Sequence, residues 1–280
     1  MSDAYESTAE LAVAEITTPV HLHTRVRVTV AAKTDMGRVR ENNEDKHEFF
    51  LPEDDVSLAR RGMAFVVCDG MGGHEAGQIA SELAVKTFLD VYYGHPADDP
   101  ALAAEYAVAA ASRFIVDQAR VVPARNGMGT TLTGLLLLQD QALVVNVGDS
   151  RCYRLRGEEL IQITEDHTWV EETVKSGVMP REQAEVHPYR HMIMRALGTP
   201  DARCDKFWHP LAVGDTFMIC SDGVTNHVDD ARIAQVLGAR SPSLAAWELV
   251  SAALVGGGSD NATVIVVRID ELEAVAPDVS

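Results

Sequence analysis

The sequence predicts an α+β fold in which antiparallel strands are covered by paired helices. Three observations carry this. From Gly129 onward, three strand-like runs (TTLTGLLLLQD, QALVVNVGDS and RCYRLRGEELIQIT) follow one another with short turns, which favours antiparallel neighbours. Two helical patterns stand side by side just before them and are long enough to cover one sheet face. Apolar strand runs also end repeatedly in an aspartate beside a glycine, so acidic groups are delivered to the same kind of position several times over.

At 280 residues the chain can bury a sizeable core, as one large domain or two. No apolar run approaches the roughly 18 residues that a membrane span requires. The first twenty residues carry Asp3, Glu6, Glu10 and Glu15 without a basic start, which does not match a secretory signal. Forty-two acidic against twenty-four basic residues give a net charge of -18, which argues against binding to nucleic acid or to anionic lipid. Cys68, Cys152, Cys204 and Cys220 form no CxxC pair, so neither a zinc knuckle nor a disulfide framework is indicated. Reduced thiols and a cytoplasmic location are the expectation.

In chain order, residues 1 to about 22 lack a period and read as a flexible acidic leader. A strand begins at His23 (HTRVRVTVAA) and leads into the polar loop Lys33 to Lys46, where Asp35 and Gly37 supply turn chemistry and Arg40, Asn43, Glu44 and Asp45 crowd charge together. A short apolar patch, His47 to Leu51, follows. The apolar strand Met63 to Cys68 then delivers Asp69 into the glycine-dense corner of Gly70, Gly72, Gly73 and Gly77. A helix is predicted from Glu75 to Tyr93, stopped by Gly94, and a second from Asp98 or Asp99, with Pro100 in its first turn, to about Val121. After the three strands, residues 165–198 read as a helical excursion with a stop at Gly177 and a break at His187-Pro188. The strand GDTFMICSDGV, two helices (Asp229 to Leu237 and Ser241 to about Val255) and a last strand after Asp260 complete the pattern. The tail from Glu271 is acidic and expected to fray.

Asp69-Gly70, Gly148-Asp149, Asp222-Gly223 and Asp260 after a glycine triplet repeat one theme. Any single Asp-Gly is an ordinary turn. Four, each joined to an apolar run, are not, and if those ends pack together the acids repel one another unless divalent cations neutralise them. Oxygen ligands without a Cys or His pair favour Mg2+ or Mn2+, and two such ions a few ångströms apart activate water for in-line attack on phosphorus. The phosphate needs a cation of its own, and Arg40 is the candidate. A dinucleotide cradle is disfavoured: position 75 is Glu where the motif needs Gly, and Asp69 would face the pyrophosphate with the wrong charge.

The runs TDMGRVRENNED, VVCDGMGGHEAG, GMGTTLTGLLL, VNVGDSRCYRLR, ITEDHTWVEETVKSGVMPREQAEVHPYRHMIMRALG, ICSDGV and SDNATVIVV, in this order over roughly residues 25–270, resemble the bacterial metal-dependent serine/threonine protein phosphatases of the PPM (type 2C) family. The resemblance implies a four-layer α-β-β-α sandwich, two antiparallel sheets flanked by helix pairs, with ions between the sheets at one end. It implies one catalytic domain over residues 23–270, a flap at about 165–198, an acidic tail at 271–280 and a monomer. It further implies hydrolysis of phosphoserine and phosphothreonine in proteins by a hydroxide bridging two Mn2+ or Mg2+ ions, in opposition to a bacterial Ser/Thr kinase. Asp69 matches the residue that bridges both ions, with the Gly70 carbonyl a further ligand; Asp222 and Asp260 match ligands of one ion each. Asp45 and Glu44 match an acidic pair acting mostly through water, Arg40 the phosphate-gripping arginine, and Asp149 a third, weaker ion site shared with Asp222.

Animal relatives place a His after the Asp-Gly as a proton donor, whereas this chain has Met71. His74 and a metal-bound water are both candidates for the general acid, and the choice stays open. His167, His187 and Arg195 are expected to cap or pack the flap. Cys68 is expected to point away from Asp69, and Cys220 to share the side of Asp222, where a thiol invites redox control but a buried cysteine is the inert filler to be expected first. A non-catalytic module of this fold, or a phosphatase of small phosphoesters or phosphotyrosine, are the competing functions. The acidic surface favours phosphosites in basic surroundings.

Overall fold

The structure is a computed structural model that describes residues 20–72 and 75–276. Residues 1–19 of the expected leader and the last four of the tail lie outside that range. Three strands, β1 (Thr24–Asp35), β2 (Asp45–Phe50) and β3 (Met63–Met71), frame the glycine-rich corner, with a short helix α1 (Asp55–Arg61) between the last two. Helices α2 (Glu75–Gly94) and α3 (Pro100–Val121) follow. Next come β4 (Gly129–Thr130), β5 (Leu132–Leu138), β6 (Gln141–Val147), β7 (Arg151–Arg156) and β8 (Glu159–Gln162). The excursion contains α4 (Trp169–Lys175) and α5 (Arg181–Ala184). The remainder is β9 (Asp205–Pro210), β10 (Thr216–Cys220), α6 (Asp222–Thr225), α7 (Asp230–Ala239), α8 (Pro242–Val255) and β11 (Ala262–Ala274).

These strands build two antiparallel sheets, one in the order β1-β11-β10-β7-β8 and one in the order β2-β3-β5-β6-β9, with β4 added beside β3. Strand alternation sorts the side chains into three cores. Along β3, Ala64, Val66 and Cys68 face α2 and α3, where Ala80, Ala84, Phe88, Ala104 and Ala107 meet them. Phe65 and Val67 face the other way and pack with Leu135 and Val144 against Phe217, Ile219, Ile265 and Val267 of the second sheet. Beyond that sheet, Met218, Cys220, Val264 and Val266 pack on Ile233, Val236, Ala246 and Leu249 of α7 and α8. The expected four layers are present.

The differences from expectation have physical causes. β1 continues past Ala32 to Asp35, because the polar Lys33, Thr34 and Asp35 pair with Val264, Thr263 and Ala262 at the sheet edge. β11 continues past Ile269 to Ala274 on the same partner, Ala274 lying opposite Thr24, so the expected frayed tail is ladder for its first four residues. The third strand run is a hairpin, β7 and β8, folded at Gly157 with φ +61°. β9, whose residues are alternately half-buried and exposed, and the short α1 and α6 carry too weak a pattern to be seen in sequence.

Arg61, at the end of α1, is fully buried and closes α2: Nε donates to the Tyr92 carbonyl at 2.8 Å and Nη2 to the His95 carbonyl at 2.6 Å, with Ala97 a third acceptor. Tyr92 lies in the last turn of α2, where carbonyls lack an intrahelical donor, and His95 and Ala97 lie in the link to α3. Arg61→Met is expected to lower stability by about 3 kcal/mol by stranding these carbonyls. A thermal midpoint unchanged from wild type would show that the loop does not depend on this cation.

Candidate metal centre

The two sheets carry their acidic residues to one end. The β2–β3 register sets Asp45 directly opposite Asp69. Cys220 ends β10, and the chain turns into α6, whose first residue is Asp222. Asp260 precedes β11, and Asp149 follows Gly148 in the turn after β6. All five interact electrostatically. Burial first, and then the charges of Asp45, Asp222, Asp149 and Asp260, push Asp69 well above the usual carboxylate range. Burial pushes Asp45 up to about 7, although hydroxyls from Thr263 and Ser221 pull the other way. Asp149 and Asp222 are raised by burial and then by neighbouring carboxylates.

Three oxygens show what is missing from this balance. Asp45 Oδ1, Asp149 Oδ1 and Asp222 Oδ1 are buried without a hydrogen-bond partner. Buried carboxylate oxygens are normally paired, and an orphaned one costs the desolvation of a charged acceptor. Divalent cations fit all three. Among the described residues no single point is ringed by three or more His, Cys, Asp or Glu side chains. The donors are all oxygens, and Mg2+ and Mn2+ are the ions that take one or two carboxylates each and complete their shells with water or carbonyl oxygen.

Small groups bring the backbone close. A Cβ on Gly70 would stand 2.1 Å from the Gly77 carbonyl oxygen and 2.7 Å from that of Glu44; a Cβ on Gly77 would stand 2.1 Å from Glu44 Oε2. The corner therefore requires glycine at both positions. A neutral frame holds the acids in place. Ser221 Oγ and Thr263 Oγ1 each donate to Asp45 Oδ2 at 2.7 Å. The Asp69 backbone N donates to Thr131 Oγ1 at 2.9 Å, and Thr131 Oγ1 shares a 2.8 Å bond with Ser150 Oγ, next to Asp149.

The charged loop reaches this end through Asn261. Its Nδ2 donates to the Met36 and Asn42 carbonyls, both at 2.9 Å, and its Oδ1 accepts from the Glu44 backbone at 2.8 Å. Arg40 is thereby set at the rim, half-exposed, with Nη2 2.7 Å from Asp260 Oδ2. Asp222 Oδ2 accepts from Asn226 Nδ2 at 3.0 Å and has His191 Nδ1 3.8 Å away. Asn226 and His191 were not foreseen in the sequence. The first caps the end of the four-residue helix that Asp222 begins, and the second reaches the site only through the fold of the flap.

A groove of about 540 Å3 runs from Asp149 and Asp222 out under the flap, past Asp166, Glu171, Arg181 and Arg190. His187 packs on Trp169 with ring centroids 5.0 Å apart, as expected of a packing residue. His74, the candidate proton donor, lies outside the described residues. Cys220 departs from expectation. It faces the helix side with Met218 and Val224, because the turn into α6 breaks strand alternation before Asp222. Burial pushes its thiol up to about 12, which leaves no thiolate for redox control.

Comparison with known proteins agrees with the geometry. Residues 38–256 match the Protein phosphatase 2C family. The serine/threonine protein phosphatase PstP of Mycobacterium tuberculosis is 37% identical over 239 residues, 85% of this chain and 44% of that protein, so the chain spans less than half of this relative. The serine/threonine phosphatase stp of Listeria monocytogenes is 37% identical over 244 residues, covering 85% of this chain and 94% of that one. The crystal structure of the PstP catalytic domain in complex with two manganese ions superposes with a TM-score of 0.74 at 36% identity, covering 87% of this chain and 99% of that one. With the sandwich, the acidic end and a match that runs from the Arg40 loop to the end of α8, the chain belongs to the protein phosphatase 2C family.

Proposed function

We propose that this chain is a metal-dependent protein phosphatase that hydrolyses phosphoserine and phosphothreonine, acting as a monomer in the cytoplasm against a bacterial Ser/Thr kinase. The observation that carries the proposal is the set of three orphaned buried oxygens, on Asp45, Asp149 and Asp222, in a cluster whose Asp260 meets the Arg40 guanidinium. Two Mn2+ or Mg2+ ions, when bound, supply Lewis acidity toward the phosphoryl oxygens and an acidified water. Asp69, the Gly70 carbonyl, Asp222 and Asp260 would hold them, with Asp45 and Glu44 behind, and Asp149 with Asp222 would take a third.

The chain's own residues supply the rest. Arg40 is half-exposed and bonded only at the rim, so it can exchange Asp260 for a phosphate oxygen, a charge-assisted bond of the kind guanidinium favours. The Ser221, Thr263 and Thr131 hydroxyls orient Asp45 and Asp69 without adding charge. The groove of about 540 Å3 beneath the flap, which reaches Asp149 and Asp222, offers room for peptide beside the phosphorylated residue. No helix among the described residues is long and apolar enough to cross a membrane.

Hydrolysis of an aryl phosphate in Mn2+ is expected to stop in chelator, and to fall by more than ~100-fold in Asp69→Asn, beyond what the loss of an outer partner of a metal ligand costs. Equal rates in mutant and wild type would overturn the metal reading, and a phosphopeptide panel then separates serine/threonine from tyrosine substrates. Arg40→Ala is expected to raise KM by roughly 10- to 100-fold, the value of one charged hydrogen bond, with a smaller change in kcat. A KM equal to wild type would remove Arg40 from the phosphate.

The raised carboxylates also set a pH dependence. In the chelated protein Asp45 holds its proton up to about 7, whereas in the unfolded chain it releases it near ~3.9. Between these values the folded state binds more protons than the unfolded one, so stability falls as pH rises through the window. Bound Mn2+ removes the repulsion. The gain in thermal midpoint on adding Mn2+ is therefore expected to be larger at about pH 8 than at about pH 6, and a gain independent of pH would contradict it.

A further inference from the structure

His167 sits at the base of the flap, 2% exposed, and nothing in the chemistry above uses it. Its Nδ1 lies 3.0 Å from the Gly148 backbone N, and its own backbone N donates to the Gly148 carbonyl at 2.9 Å. A backbone N–H can only donate, so Nδ1 is the bare nitrogen and Nε2 carries the proton. Nε2 donates to Asp205 Oδ2 at 3.0 Å, and Arg195 Nη1 holds the other oxygen of Asp205 at 3.2 Å. The 3.4 Å approach of Arg195 Nη1 to Nε2 brings two donors together and is not a hydrogen bond. One tautomer is thus selected from both sides.

The residue so gripped is unusual. Gly148 has φ +110°, and a Cβ there would stand 2.5 Å from the Thr131 methyl, so its peptide has no slack toward the start of β5, its neighbour in the same sheet. The next residue is Asp149, whose Oδ1 is one of the three orphaned oxygens. His167 also carries the inner edge of the flap. Its carbonyl accepts from Met194 N at 2.7 Å, Thr168 bridges to Ile193, and Trp169 N donates to the Met192 carbonyl at 2.9 Å.

We propose that His167 is a positioning residue: it fixes the Gly148-Asp149 peptide so that the Asp149 carboxylate is presented to a divalent cation shared with Asp222, and it ties that carboxylate to the flap segment 192–194. The proposal rests on the phosphatase reading, in which Asp149 and Asp222 hold a third cation.

The two ring nitrogens do different things, which makes the role separable from space filling. Asn at 167 would retain an acceptor near the position of Nδ1, for Gly148, and lose contact with Asp205. Gln would reach toward Asp205 and leave Gly148 without an acceptor. A side chain needed only for its volume ranks Gln above Asn above Ala, whereas a positioning role ranks Asn first.

Calorimetric titration of the metal-free protein with Mn2+ decides between them. Wild type is expected to show a weak class of binding that Asp149→Asn lacks. His167→Asn is expected to keep that class, while His167→Gln and His167→Ala weaken it by about 10- to 100-fold, the range for losing a partner that orients a ligand, and leave the tighter Mn2+ equivalents unchanged. Asp205→Ala, at the more exposed end, lets the proton move to Nδ1 against the Gly148 N–H and is expected to weaken the same class without a packing defect. Weak-class affinity that follows side-chain volume, or that matches wild type in all these variants, overturns the positioning role. If Asp149→Asn titrates like wild type, the cation at Asp149 fails and His167's role with it, while the tighter equivalents would leave the catalytic reading standing.

Discussion

Mutual repulsion among Asp45, Asp69, Asp149, Asp222 and Asp260 is the constraint around which the rest of this molecule is arranged. Each is delivered by a different element: Asp45 by β2, Asp69 by β3, Asp149 by the turn after β6, Asp222 by α6 and Asp260 by the approach to β11. Bringing five carboxylates to one end of a low-dielectric sandwich is unfavourable by itself, and the raised proton affinities of Asp45, Asp69, Asp149 and Asp222 record it. The three apolar cores away from that end hold the sheets in register and keep the acids from moving apart. Stability in the layers and strain at their end are two sides of one design, in which a site is held in a state that suits its ligand and not itself.

Neutral groups do much of the holding. Thr131, Ser150, Ser221 and Thr263 are all buried, and each places a hydroxyl where a second charge would either deepen the repulsion or satisfy it permanently. An arginine or lysine in their place would neutralise the acids and compete with any cation. Hydroxyls donate to one oxygen of Asp45 and leave the other bare. Asn261 plays the corresponding part for the backbone, tying the Arg40 loop to Asp260 through three hydrogen bonds.

The layers were legible in the sequence because strand alternation and helix periodicity report directly on which faces are buried, as the split of Ala64, Val66 and Cys68 from Phe65 and Val67 illustrates. The acids were legible because an aspartate closing an apolar run conflicts with its neighbours. What was not legible has no such local conflict. β9 and the tail of β11 alternate weakly, and only their partners, β6 and β1, make strands of them. Cys220 and Asp222 do not share a side, because the alternation of β10 ends at Cys220 and Asp222 begins a helix. His191 and Asn226 reach Asp222 by tertiary folding alone, and no spacing in the chain announces them.

Floor and rim of the site differ in a way that bears on how it works. At the floor, Asp45 is bound by two buried hydroxyls and Asp149 follows a glycine that has no room for a side chain. At the rim, Arg40 is bonded to Asp260 but half-exposed, and a pair so open to water is worth about 1 kcal/mol or less. His191 approaches Asp222 without a hydrogen bond and is likewise open to solvent. The groups proposed to hold ions therefore sit where movement is costly. The group assigned to phosphate sits where exchange of one anionic partner for another is nearly free, and it rests against a carboxylate that any incoming cation would draw on as well. On the proposed reading, cations held at the floor would draw on Asp260 and free Arg40 at the point where phosphate needs it, so the site would gain its anion-binding group by being filled with cations.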